Sequence, residues 1–234
     1  MKSTSSTGER SLKSRSSTGE RSLNRSTFVK ICGITRLGDA RAAVRAGANA
    51  VGFVFAPSPR RIVPSKARAI AGHLHPSVTS IGVFVDATLD QVLRIAGEVG
   101  LGGVQLQGAE PPEMIEALRR ARPGLFISKV VRMLDAGALA ATAASPADAV
   151  MVDPKDPTNP GARSAPIPVE WLAGPHHEHL IVAGGLTPSS VGSVVRTLHP
   201  WGVDVSAGVE ESPGRKDVRL VRDFVAEVRA AEGR

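Results

Sequence analysis

The chain has 234 residues, 42% of them hydrophobic and 22% charged, with a formal net charge of +7. That composition supports one sizeable core, and no apolar run approaches the ~20 residues of a membrane-spanning helix. Aromatic residues make up only 3% and tyrosine is absent, so stacking platforms for nucleic acid are nearly missing, while the single cysteine, Cys32, excludes an internal disulfide and points to a reducing compartment.

Residues 1–27 carry Lys2, Arg10, Lys13, Arg15, Arg21 and Arg25 against Glu9 and Glu20, so four of the seven net positive charges lie there. Within this stretch Ser5-Ser6-Thr7-Gly8-Glu9-Arg10-Ser11-Leu12 recurs as Ser16-Ser17-Thr18-Gly19-Glu20-Arg21-Ser22-Leu23. A Ser- and Arg-rich segment of this kind has no apolar face to bury, so a disordered tail is expected over 1–27. It lacks the apolar centre of a secretory signal, and its acids argue against an organelle transit peptide. The remaining residues carry no clustered basic face, so nucleic acid is not an expected partner.

From Phe28 onward the pattern changes. Phe28-Val29-Lys30-Ile31-Cys32 reads as a buried strand broken by Gly33, and a helix is predicted over Leu37–Ala46, stopped by Gly47. The second strand, Ala50–Phe55, runs into a loop stiffened by Pro57 and Pro59, and a helix over about Ser65–His73 leads to the third strand, Ser80–Val85. Asp86 and Thr88 are cap candidates for a helix at Leu89–Val99. Gly103–Leu106 is a short fourth strand ending at Gln107-Gly108, and Pro111 and Pro112 suit the first turn of the next helix. Leu125–Val131 is the fifth strand, an Ala-rich helix is expected over Asp135–Ala144, and Ala149–Asp153 is the sixth strand. A proline-rich loop, Pro154–Pro168, precedes two apolar runs that break at glycine, within His179–Leu186 and Gly202–Glu210, and Lys216–Ala231 reads as a closing helix.

Eight strands alternating with helices indicate an α/β chain with a parallel sheet. The expected architecture for residues 28–234 is one (β/α)8 TIM barrel, with an open doubly wound sheet as the alternative. The two glycine breaks favour closure. In such a barrel the loops after strands seven and eight hold a substrate phosphate, because bare amides and a helix N-terminus attract an anion.

Active sites of this architecture lie at the C-terminal ends of the strands. The polar residues there are Cys32, Arg60, Asp86, Gln107, Asp153 and Asp204. A thiolate and a carboxyl group across one barrel mouth can act as base and acid. Taken singly, Cys32 also fits a small buried hydrophobe, Asp153 a loop or cap residue, and Arg60 a solvated charge.

Several stretches together carry a resemblance. Val29-Lys30-Ile31-Cys32-Gly33-Ile34-Thr35, Gly52-Phe53-Val54-Phe55 with Ser58-Pro59-Arg60, Val104-Gln105-Leu106, Ala183-Gly184-Gly185-Leu186, Val203-Asp204-Val205-Ser206 with Gly208-Val209-Glu210, and Gly214-Arg215-Lys216-Asp217 resemble the phosphoribosylanthranilate isomerase family of tryptophan biosynthesis. The resemblance covers residues 28 to about 230. It implies a single-domain barrel that carries out an Amadori rearrangement, converting N-(5-phosphoribosyl)anthranilate into 1-(2-carboxyphenylamino)-1-deoxyribulose 5-phosphate without metal or organic cofactor. It assigns the general base to Cys32, the general acid to Asp153, the anthranilate end to Arg60 and a further substrate contact to Asp204. Gly184, Gly185, Ser206 and Gly208 match the phosphate-binding residues. The expected setting is the cytoplasm, as monomer or homodimer, with a small phosphosugar as partner and no membrane.

Three positions depart from the family pattern. Gln107 stands where histidine is usual, Ala207 where a second serine is usual, and residues 159–171 lack the glycines of the loop that follows the acid. Arg163 is the one arginine in the Pro154–Pro168 loop and is the candidate to contact phosphate by charge where amides are lost. Two other functions remain open at this point. One is a paralogous isomerase of another aminoribose phosphate; the other is a silent phosphate-ligand binder, against which the retention of Cys32 and Asp153 counts.

Overall fold

The computed structural model describes residues 26–154, 167–172 and 174–232. The expected tail up to residue 25, and Arg163 with most of its loop, lie outside the described residues. The strands are β1 (Phe28–Ile31), β2 (Ala50–Val54), β3 (Thr79–Phe84), β4 (Gly103–Leu106), β5 (Phe126–Arg132), β6 (Ala149–Asp153), β7 (Leu180–Val182) and β8 (Gly202–Val205). They form a closed barrel in sequence order, each neighbour parallel, and β1 pairs with β8. The expected (β/α)8 barrel is therefore the fold, and the open sheet is excluded.

The strands are apolar because both faces are covered; all five residues of β2 are buried. The outer layer holds α1 (Leu37–Ala46), α2 (Pro64–Ala71), α3 (Leu89–Val99), α4 (Pro112–Ala121), α5 (Pro188–Leu198) and α6 (Val218–Glu232). Thr88 caps α3 reciprocally with Gln91, as its sequence position suggests, and Gly47 ends α1 in the left-handed region.

Three elements differ from expectation. The Ala-rich segment is a 3-10 helix over Ala136–Thr142 rather than an α-helix over Asp135–Ala144. It buries only Leu139 and Thr142, too little apolar surface to hold an α-helix in place. Between β6 and β7 the described helical segment is another 3-10 turn, Val169–Leu172. Met133, Leu139, Ile167 and Leu172 pack over Val152, Leu180 and Val182 and cover this side of the barrel. Finally, β9 (Glu210–Ser212) and β10 (Arg215–Lys216) form a small hairpin, so α6 starts at Val218 and Lys216 belongs to the hairpin.

The N-terminal end of the barrel is plugged by aromatic rings. Trp201 stacks on Phe28 at 4.7 Å between centroids and on Phe126 at 6.2 Å, beneath Met151, Ile181 and Ala183. The C-terminal end holds the cavity.

Candidate active site

A cavity of about 430 Å³ lies at the C-terminal ends of the strands. Cys32, Arg60, Asp153, Gly184, Gly185, Asp204, Ser206 and Gly208 all line it. Of the nine residues given a site role by the resemblance or as its phosphate contact, eight are thus brought together and the ninth, Arg163, lies outside the described residues; of the other two polar strand-end residues, Gln107 lines the cavity and Asp86 does not. Cys32 follows β1 and Asp153 ends β6, so they face the cavity from strands separated by β8 and β7.

Cys32 is tied to the next strand by its N–H, which donates to Val205 O at 2.8 Å. Its thiol packs with Val54, Ala56 and Val83, an apolar wall. Gly52 makes room for it, since a Cβ there would sit 2.8 Å from Cys32 Sγ.

Lys30, two residues before Cys32 on the same inward face, is 1% exposed, and its Nζ donates to Asp204 Oδ1 at 2.7 Å. Burial alone would lower its pKa, but Asp204 and then Cys32 outweigh that and push it up to about 12. Lys216 Nζ donates to Glu210 Oε1 at 2.8 Å and to Ser206 O at 3.0 Å. Burial holds Lys216 below its ordinary value, opposed first by Glu210 and then by Cys32. Two ammonium groups therefore stand within electrostatic reach of the sulfur.

Arg60 is 7% exposed and forms a two-pronged pair with Glu210, from Nε to Oε1 at 2.9 Å and from Nη2 to Oε2 at 2.7 Å. Burial works against the Glu210 carboxylate, but Arg60 and Lys216 together hold its pKa below the usual range.

The turn after β7 needs its glycines. Gly184 and Gly185 have φ of 84° and 64°, and a Cβ on Gly184 would run into the Pro154 ring and come within 3.0 Å of Asp153 Oδ1. The turn leads to Thr187 at the start of α5, and the Thr187 N–H donates to Ser190 Oγ at 3.0 Å. After β8, a 3-10 turn over Ala207–Val209 starts at Ser206, and a Cβ on Gly208 would collide with Leu186 O. The two turns thus pack on each other, with amides and a helix start at one edge of the cavity.

On the far side, Gln105 Nε2 donates to Gln107 Oε1 at 3.1 Å, and Gln105 is 2% exposed. Lys30, Glu210, Lys216 and Gln105 were given no site role by the sequence reading. Lys30 carried a signal, a lysine at an inward position of an apolar strand. Among the described residues, no group of three or more His, Cys, Asp and Glu could hold a metal ion.

A family model described as N-(5'phosphoribosyl)anthranilate (PRA) isomerase matches residues 29–227. An N-(5'-phosphoribosyl)anthranilate isomerase of Rubrobacter xylanophilus is 41% identical over 203 residues, covering 85% of this chain and 97% of the relative. The crystal structure of a phosphoribosyl anthranilate isomerase from Thermus thermophilus is 40% identical, with a TM-score of 0.78, and covers 87% of this chain and 99% of that one. Another isomerase structure, in complex with reduced 1-(o-carboxyphenylamino)-1-deoxyribulose 5-phosphate, is 33% identical with a TM-score of 0.75, covering 87% and 99%.

Proposed function

The chain belongs to the N-(5'-phosphoribosyl)anthranilate isomerase family and is an isomerase of tryptophan biosynthesis, and on that premise we propose how its residues divide the reaction. Asp153 is the general acid. Its carboxyl proton passes to the furanose ring oxygen, the C1′–O4′ bond breaks, and the nitrogen lone pair forms an iminium at C1′. The iminium acidifies the C2′ hydrogen, and the Cys32 thiolate removes it. The electron pair becomes the C1′–C2′ double bond of an enolamine, which loses its hydroxyl proton and gains one at C1′ to give the ketone. Lys30 and Lys216 supply the positive potential that a thiolate needs in this half-apolar pocket.

The substrate lies across the cavity. Its phosphate takes the amides of Gly184, Gly185 and Gly208, the Ser206 hydroxyl and the α5 N-terminus. Arg163 is proposed as an additional phosphate contact. The anthranilate ring lies against Val54, Ala56 and Val83, and its carboxylate meets Arg60. Asp204, held by Lys30, offers its remaining lone pairs to a substrate hydroxyl. The protein works in the cytoplasm, as a monomer or homodimer. Among the described residues no helix is long and apolar enough to cross a membrane.

The observation that carries this reading is the shared cavity of Cys32 and Asp153, with a glycine turn at one edge and an apolar wall at another. The test is growth of a tryptophan auxotroph lacking the isomerase. Expression of this chain is expected to restore growth without tryptophan, and no growth despite soluble expression would contradict the reading.

A further inference from the structure

The Glu210 carboxylate accepts four hydrogen bonds beside the site, yet the reaction gives it no proton to move. Oε1 accepts from Arg60 Nε at 2.9 Å, Lys216 Nζ at 2.8 Å and Gly214 N at 3.2 Å, and Oε2 accepts from Arg60 Nη2 at 2.7 Å. Its side chain is 5% exposed. We propose that Glu210 is a positioning residue that aims Arg60 at the anthranilate carboxylate and couples that end of the site to the phosphate-binding turn. This rests on the reading above in which Arg60 meets that carboxylate.

The geometry of the guanidinium makes the role possible. Its five N–H donors lie in one plane, and a carboxylate can take two parallel donors along an edge. Glu210 uses the Nε–Nη2 edge. Among the described residues the Nη1–Nη2 edge keeps its donors for a second carboxylate, and with one edge pinned the plane and direction of the other are set. The stem of Arg60 is fixed as well. It lies against Gly33, where a Cβ would come within 2.7 Å of Arg60 Cδ. The link to the phosphate turn runs through Lys216, which holds Glu210 with one hydrogen bond and Ser206 O with another. An arginine held in its bound conformation before substrate arrives loses less freedom on binding, so the alignment appears in affinity for the carboxylate.

The test compares two ligands on the same full-length protein by titration calorimetry. One is reduced 1-(o-carboxyphenylamino)-1-deoxyribulose 5-phosphate; the other is the same molecule with an unsubstituted phenyl ring. The quantity read is the ratio of their dissociation constants. The carboxylate is expected to tighten binding to the wild type about ten- to a hundredfold. In Glu210→Gln, where one acceptor and one amide face the cations, that advantage is expected to fall by about tenfold, close to its value in Arg60→Ala. General damage to the fold weakens both ligands together and leaves the ratio alone. Should Glu210→Gln fail to fold, Glu210→Asp keeps the charge beside Lys216 but retracts from Arg60, and the same loss is expected. A ratio within twofold of wild type in the folded Glu210 variant, with the ratio lost in Arg60→Ala, overturns the positioning role. An unchanged ratio in Arg60→Ala overturns the Arg60 assignment beneath it.

Discussion

Two positions separate the proposed base, just past the end of β1, from a buried charge within that strand. Cys32 faces the cavity, whereas Lys30, deeper in the barrel, is paired to Asp204 directly across the β1–β8 register. Lys30→Met would leave the Asp204 carboxylate buried beside a thioether, a loss expected to cost about 3–5 kcal/mol of stability in urea unfolding. Adding Asp204→Leu is expected to restore much of it. Lys30 binds its proton more tightly folded than unfolded, so its contribution is complete below its ordinary value of 10.5 and is lost as the pH rises through about 12. The Lys30 contribution is therefore constant with pH near neutrality. Glu210 has the opposite sign. Its folded pKa is depressed, so its contribution is present above the ordinary 4.5 and lost as the pH falls through the depressed value. Glu210→Gln is expected to flatten the acid limb of a stability–pH curve, and an unchanged slope would contradict the pairing. The placement of Cys32, Asp153 and Arg60 at the cavity was legible from their position at or after apolar runs at one end of the fold, whereas their proposed roles rest on the family resemblance. The Lys30–Asp204 pair was not, since its partners lie 174 residues apart and only barrel closure sets them side by side.

The turns after β7 and β8 are the elements on which the proposed phosphate binding depends. Each was readable as an apolar run ending in glycine, and the structure adds that they interlock, Gly208 against Leu186 O and Gly184 against Pro154. Gly208→Ala is expected to part the turns and raise KM by about tenfold or more with a smaller change in kcat, because phosphate is remote from C2′ and binds similarly in ground and transition states. Arg163→Ala is expected to raise KM about ten- to a hundredfold in the same steady-state assay, and an unchanged KM would remove Arg163 from the site. The strands were legible to within a residue or two because a buried parallel strand is a continuous apolar run. The elements misread were those with little apolar pattern. Alanines in the 136–142 segment suit a helix without saying which kind, and the β9–β10 hairpin has strands of three and two residues, too short for alternation to show.

For the whole molecule, the closed sheet plugged at its N-terminal end by Phe28, Phe126 and Trp201 leaves the strand C-termini to form the site. The chain ahead of β1 is anchored at Thr27, whose N–H donates to Glu232 Oε1 at 2.6 Å and whose carbonyl accepts from Arg229 Nη1 at 2.7 Å. Removing residues 1–25 spares that anchor and is expected to leave Tm and turnover unchanged; a loss of several degrees would show that the tail packs on the barrel. In the proposed reaction this barrel rearranges N-(5-phosphoribosyl)anthranilate with Cys32 as base and Asp153 as acid. The most direct measurement is single-turnover conversion of that substrate by purified wild type, Cys32→Ser and Asp153→Asn, with binding of the reduced product analogue followed in parallel. Turnover is expected to fall at least 10²-fold in each variant while analogue binding persists. A variant that keeps more than about a tenth of wild-type turnover would contradict the role assigned to that residue.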